Sequence, residues 1–317
     1  MVRKGDIVFA QRGTLGKSAF IVNDIGPATI NPSLVLINKI KCDNEYLSYW
    51  LQCDKIVEYI CSINSQTSIP MITQNQIEHI PVVLSRIKAE QQAIAEALGD
   101  IDGLIATLDK KIAKKRLIKQ GAMSQLLTGK KRLPGFSDPW VEKKLGEIGY
   151  TYSGLTGKSK DDFGQGNAKY ITFLNVLANP ILKENLFGSI TIRENEQQNK
   201  VQFGDLFFNT SSETPEDVGT CAVLLSYHEE LYLNSFCFGY RLTDDNVLGL
   251  YLAYYFRSRL GRQLMTSLAQ GATRYNLSKE LFNASRIILP ETKDEQIAIA
   301  TMLNDMDKEP SEISTAS

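Results

Sequence analysis

The sequence predicts an α+β chain in which two related mixed domains, the first of them incomplete, are joined by one long coiled-coil-like helix. Three observations carry that reading. The segment Gly5 to Asp102 reappears as Gly204 to Asp307, each copy runs strand, strand, helix in the same order, and an apolar stripe of period 3.5 fills part of the stretch between the copies.

In the first copy, covering residues 1–87, "GDIVFAQRG" reads as a short buried strand ended by Gly13, "SLVLINKI" as a second β-rich run, and "NEYLSYWLQCDKIVEYICSI" as helical. The second copy gives "GDLFFNTS", "SFCFGYRL" and "LGLYLAYYFRSRLGRQLMTSL" in the same order. From Gln66 onward the copies align at an offset of 205: Ile72 falls on Leu277, Ile77 on Phe282, Leu84 on Leu289, and Glu90-Gln91 on Glu295-Gln296. Upstream, Lys4 to Phe9 falls on Phe203 to Phe208 at an offset of 199, so a few residues of loop are inserted between. A doubled unit of this kind presents two similar surfaces and suits a two-part target.

Residues 88–128 read as a single helix. Ile94, Leu98, Ile101, Ile105, Leu108 and Ile112 step by four, three, four, three and four, the spacing of a coiled-coil seam, which Lys115 and Lys119 then interrupt. At 1.5 Å per residue such a helix is roughly 60 Å long, a spacer rather than a core element. Gly129 can take the left-handed position that closes it, and Pro134 prevents continuation. A linker at 129–139 leads to the second domain at 140–291, which is larger: the first copy has no equivalent of Trp140 to Lys200. A capping box from Thr292 to Glu295 opens a second helix over 292–308, and the polar residues 309–317 are expected to be disordered.

With 317 residues, 43% hydrophobic and 22% charged, the chain is long enough for about two ordinary cores. None of its apolar runs approaches the roughly 20 residues that cross a bilayer, so no membrane partner and a cytoplasmic location are expected. Five cysteines without a C-x-x-C, and only two histidines, give no zinc constellation; buried free thiols are expected, and no metal. Net charge is -1, yet Lys110 to Arg132 holds nine basic residues and no acidic one. Such a block attracts phosphate, or forms a solvated helix face. No G-x-x-x-x-G-K-[ST] loop is present, Asn31-Pro32-Ser33-Leu34 lacks the second proline and aromatic of a methyltransferase tetrapeptide, and Asp138, Glu142 and Lys144 lie too close together for a nuclease core. His79 and His228 lack a matched nucleophile, so no catalytic residue is assigned.

The repeated "EQ-x-AIA" helix starts, "MSQLLTGKKRLPGF" at the end of the first helix and "W-x-x-KKLGEI" opening the next domain resemble the specificity subunit of type I restriction-modification enzymes over almost the whole chain. That resemblance implies a non-catalytic reader of double-stranded DNA with two target recognition domains held apart by two long antiparallel helices. It implies docking onto methyltransferase subunits and, through them, a restriction subunit. S-adenosylmethionine, ATP and magnesium would be bound by those partners, with no cofactor here. Against the family's pattern the chain looks shortened at both ends. The long helix then lacks its mate, so self-association or partner binding through its seam is expected.

Base readout needs side chains on loops placed by a rigid scaffold. In the second domain three polar loops qualify, offering Lys158 and Lys160; Asn209, Ser211 and Ser212; and Thr273, Arg274, Tyr275, Asn276 and Lys279. The first domain offers Gln11, Arg12, Thr14 and Lys17, and then Gln66, Thr67 and Ser68. Each of these is also compatible with an ordinary surface turn. Ser278, with Thr73 at the matched position, has the alternative of a helix N-cap. A competing reading from another class is a truncated scaffold that binds the methyltransferase through its helices without competent DNA recognition; retarded migration of a specific duplex separates the two.

Overall fold

The computed structural model describes residues 1–63 and 70–315, with side chains through residue 308; Gln66, Thr67 and Ser68 lie outside the described residues. The chain divides into two compact units, Met1–Lys111 and Ile112–Ser317. Both are α+β.

In the first unit, β1 (Ile7–Ala10), β2 (Ser18–Phe20) and β3 (Leu34–Ile37) form an antiparallel sheet of order β2-β1-β3, followed by α1 (Asn44–Gln52), α2 (Asp54–Ile63) and α3 (Gln74–Glu78). The single helical run expected here is two helices, because Cys53 adopts an extended backbone between them. Alternation in β1 sends Ile7 and Phe9 inward against Leu47, Leu51, Ile56, Ile60, Ile72 and Ile77. Thr73 caps α3 in a capping box with Gln76.

Helix α4 (Lys88–Leu126) is continuous across the division between the units. It stops two residues earlier than expected, and Gly129 takes the left-handed conformation (φ 69°) just beyond it. Ile94, Leu98, Ile101 and Ile105 are exposed and Leu108 and Ile112 half-buried, so the front of the seam is uncovered among the described residues.

The second unit continues with β4 (Trp140–Lys144), α5 (Leu145–Ile148), β5 (Gly149–Ser153), β6 (Phe163–Ile171), α6 (Phe173–Ala178), β7 (Phe187–Ile190), β8 (Leu206–Asn209), β9 (Ser211–Ser212), β10 (Cys221–Val223), β11 (Leu231–Leu233) and β12 (Cys237–Leu242). Then come α7 (Gly249–Arg257), α8 (Arg259–Ser267), β13 (Ala269–Gln270), β14 (Tyr275–Leu277), α9 (Lys279–Ala284), β15 (Arg286–Pro290) and α10 (Lys293–Thr315). Its sheets have orders β10-β8-β12-β5, β11-β6-β7, β13-β14-β9 and β15-β4. Phe282 sits at the centre of an aromatic core with Phe208, Phe238, Tyr240 and Phe256, ring centroids 5.0 to 6.0 Å away. Met123, Leu126 and Leu127, from the end of α4 and just beyond, join this core beside Ile299, Ala300 and Leu303 of α10.

Two expectations at the domain edges need correction. The Thr292–Glu295 capping box does not form: Arg132 takes the Glu295 carboxylate in a bidentate pair at 2.6 and 2.7 Å, and the buried Thr292 hydroxyl has no hydrogen-bond partner. That same pair fastens the 129–139 linker to α10. Helix α10 runs to Thr315, through residues expected to be disordered.

The two units repeat individual hydrogen bonds at an offset of 205. The Gln91 side chain accepts from the amide of Asp43 and donates to the Ser85 carbonyl; Gln296 accepts from Leu248 and donates to Pro290. Tyr49 donates to Asp102 as Tyr254 does to Asp307. The common offset therefore reaches back to Asp43, well upstream of the Gln66 start legible in the letters.

Candidate nucleic-acid interface

Each unit folds the loop after one of two matched core strands, β1 or β8, against the loop before its short capped helix, α3 or α9. In the second unit, Leu277 donates its amide to Thr210, and Asn276 and Tyr275 pair with Ser211 and Ser212 across β14 and β9. In the first unit, Ile72 donates to Gln11, and Arg12 bridges Met71. Loops far apart in sequence thus meet because the strand and the helix they flank share one core.

In the second unit this brings Ser211, Ser212, Arg274, Tyr275 and Asn276 together, with Thr273 in the turn between β13 and β14. Arg274 is exposed and its Nε reaches the Ser211 hydroxyl at 3.3 Å. The adjoining open groove is lined by Arg274, Ser211, Ser212, Thr214, Phe173 and Leu177, together with the carboxylates Glu213 and Asp217. Asp217 accepts from the Thr214 hydroxyl at 2.6 Å, and Arg274 supplies a guanidinium to the same groove. Lys279 is half-buried, its ammonium 3.4 Å from Ser153 and over the Phe238 ring. It fastens the end of β5 to the start of α9. Ser278 caps α9 through the Leu281 amide, as the N-cap alternative required.

Two of the candidate residues are held by internal hydrogen bonds. The Lys158 side chain is 5% exposed, donating to the Thr191 carbonyl at 2.7 Å and to Glu196 at 2.5 Å, and its ammonium holds the Glu196 carboxyl below the usual range. Asn209 is buried, accepting from Thr220 at 2.6 Å and donating to Ser211 at 3.3 Å, so it shapes the β8–β9 corner. Their polarity suggested solvent; their partners lie up to 38 residues away in sequence, where no spacing rule reaches. Lys160 stays exposed on a single turn of 3-10 helix over residues 160–162.

In the first unit, Arg12, Thr14 and Lys17 are exposed, while Gln11 donates to the Pro32 carbonyl at 2.8 Å and is half-buried. Arg12 Nε lies 3.1 Å from the Met71 sulfur. Of the basic block, Lys119 pairs with Asp307 and lies over Tyr254, and Arg132 pairs with Glu295. Those two cations are neutralised before any phosphate arrives.

Sequence reasoning missed the residues that hold the groove open. Arg262 donates to the carbonyls of Gly219, Glu216 and Val218, and Arg257 to those of Cys221, Val176, Leu177 and Asn179. Burial pulls both guanidinium pKa values down from their ordinary range, although backbone acceptors surround them. A basic residue in a helix gives no sign that its partners are carbonyls of a distant loop. Among the described residues no cluster of His, Cys, Asp or Glu could hold a metal ion, and no helix is long and apolar enough to cross a membrane.

Comparison with known proteins gives a family and a fold. The family described as type I restriction modification DNA specificity domain matches residues 1–115 and 137–316. Two curated relatives from Methanocaldococcus jannaschii are named as type I restriction enzyme specificity subunits: MjaX, 28% identical over 195 residues, and MjaVIII, 29% identical over 182. The matches cover 54% and 57% of this chain but only 43% and 37% of those relatives. A type I restriction-modification S subunit from M. genitalium shares the fold over the whole chain and 79% of its own length, with a TM-score of 0.61 at 16% identity. A second solved chain, from work on complex assembly and conformational transition of the type I R-M system, gives 0.58 at 17% identity over 99% of this chain and 77% of its own.

Proposed function

The chain belongs to the type I restriction modification DNA specificity family, and from that membership we propose that it reads a bipartite sequence in double-stranded DNA for a type I restriction-modification complex. The family is one of non-catalytic DNA specificity components. In this reading, methyltransferase subunits dock on the chain and a restriction subunit joins through them. They bind S-adenosylmethionine, ATP and magnesium. The complex works in the cytoplasm.

The observation that carries the reading is the convergence of Ser211, Ser212, Arg274, Tyr275 and Asn276 on one small sheet, with the paired Arg12–Met71 corner at the matched place in the first unit. Hydroxyls, an amide and a guanidinium on a scaffold-held corner are the groups that read base edges and grip phosphate. The units are an internal repeat, each reads one half of the target, and α4 is the spacer between them.

Selection of randomised duplexes by the purified chain, alone and with its methyltransferase subunit, tests this. A split consensus with a fixed gap is expected. Absence of any enriched sequence in both conditions, with the methyltransferase still bound, would leave the scaffold reading standing.

A further inference from the structure

Phe236 stands on the surface of the second unit on a turn pinned at both its amide and its carbonyl. The amide donates to the Asn234 side chain at 2.9 Å, and Asn234, itself buried, donates to the Ile171 carbonyl at 3.0 Å. The carbonyl accepts from the Thr210 amide at 2.9 Å. Thr210 in turn accepts from the Leu277 amide at 2.8 Å, so a single residue joins the Phe236 turn to the corner formed by β9 and β14.

The Phe236 ring is 59% exposed, and Phe173 meets it edge-on with centroids 6.3 Å apart. Phe173 and Leu177 also line the groove of about 430 Å³ that holds Ser211, Ser212, Glu213, Asp217 and Arg274. An apolar aromatic edge is therefore continuous with the polar corner. A single exposed phenyl ring is ordinary on a protein surface. This one differs in being held by a fixed backbone beside an exposed guanidinium, an arrangement ordered before any ligand arrives.

The mixture of groups selects the occupant. A phosphate backbone alone would bring only anionic acceptors to a groove that carries two carboxylates. The major-groove edge of base pairs brings acceptors for the guanidinium, amino hydrogens for a carboxylate and, on thymine alone among the four ordinary bases, an apolar methyl group. We infer that Phe236, backed by Phe173, is a specificity-determining residue that packs on the 5-methyl group of a thymine, beside the base addressed by Arg274. This contact rests on the DNA reading proposed above and adds to it the identity of one base.

The test uses the full chain with its methyltransferase subunit and the duplex recovered from the selection described above. Each thymine is replaced singly by deoxyuridine, which lacks only the methyl group, and affinity is read by fluorescence anisotropy for the native chain and for Phe236→Ala. At one thymine, in the half-site whose readout Arg274→Ala relaxes, the native chain should lose about fourfold in affinity, the worth of one buried methyl group. Phe236→Ala should bind the thymine and deoxyuridine duplexes equally, with an unchanged thermal midpoint because the ring is exposed. Tyr227→Ala is the control: that ring is also exposed, but it stacks on Phe203, three residues before β8 begins, whereas Thr210 follows the end of β8. It should behave as the native chain does.

The contact is overturned, with DNA reading intact, if no thymine discriminates in the native chain or if Phe236→Ala keeps the full discrimination. In the first case a loss of affinity on Phe236→Ala would mark a wedge between base pairs. Loss of the methyltransferase from Phe236→Ala would also overturn it and mark a protein contact. A selection that enriches no sequence at all removes the DNA reading, and this contact with it.

Discussion

Tyr254 donates its phenolic hydrogen to Asp307 at 2.9 Å, and 205 residues earlier Tyr49 makes the same bond to Asp102 at 2.9 Å. Each pair pins a long helix, α4 or α10, to the matching helix of its unit, α1 or α7. Burial, with the neighbouring carboxylate, raises both phenols, Tyr49 to about 12, so neither bond is lost near neutral pH. Replacing Tyr254 with Phe should cost about 1 kcal/mol by urea denaturation. Tyr49→Phe should cost less, because its bond is exposed to water.

Asp205 is buried and shared by Arg241, at 2.9 and 2.7 Å, and Tyr152, at 2.6 Å. Removing one partner of such a pair leaves an uncompensated charge. Asp205→Asn should therefore destabilise the second unit by about 3 kcal/mol, read as a lower urea midpoint.

Arg274 and Lys158 should separate recognition from stability. On the proposed function, Arg274→Ala weakens binding to the selected duplex by about tenfold or more and leaves the thermal midpoint in place. Lys158→Ala should lower the midpoint and spare duplex affinity in the folded protein. Anisotropy and calorimetry on the two variants give the contrast, and reversed outcomes would exchange their roles.

The Lys158–Glu196 pair also sets a pH dependence. Bonds from Lys158, then Gln198, hold the Glu196 carboxyl below its ordinary 4.5, so the folded state binds that proton less readily than the unfolded state does. Its stabilisation is present above the ordinary value and lost as pH falls through the lowered one. A series of urea midpoints from about pH 6 to about pH 3 should fall less steeply for Glu196→Gln than for the native chain.

If α4 sets the gap between half-sites, removing residues 101–107, one heptad, should shorten the gap preferred in duplex selection. An unchanged gap excludes the spacer role. Ile101→Asp with Ile105→Asp, at exposed seam positions, should abolish any self-association seen by light scattering while leaving helicity intact.

The sequence by itself determined the α+β class, the two related halves, the long helix with its Gly129 stop, and the paired caps at Thr73 and Ser278. These are local or periodic: they depend on neighbours within a turn or two, and one chain displays them. Tertiary structure decided which polar residues face water. The Lys158 side chain and Asn209 read like surface groups and are covered, whereas half-buried Ser211 and exposed Arg274, 63 residues apart, share one corner. It also decided that Glu295 pairs with Arg132 instead of capping its helix, and that β3 is left as an edge while β12 is covered on both sides. The physical reason is that a polar group takes whichever partner folding brings within 3 Å, and that choice is fixed by how the apolar faces close together, not by the order of residues along the chain.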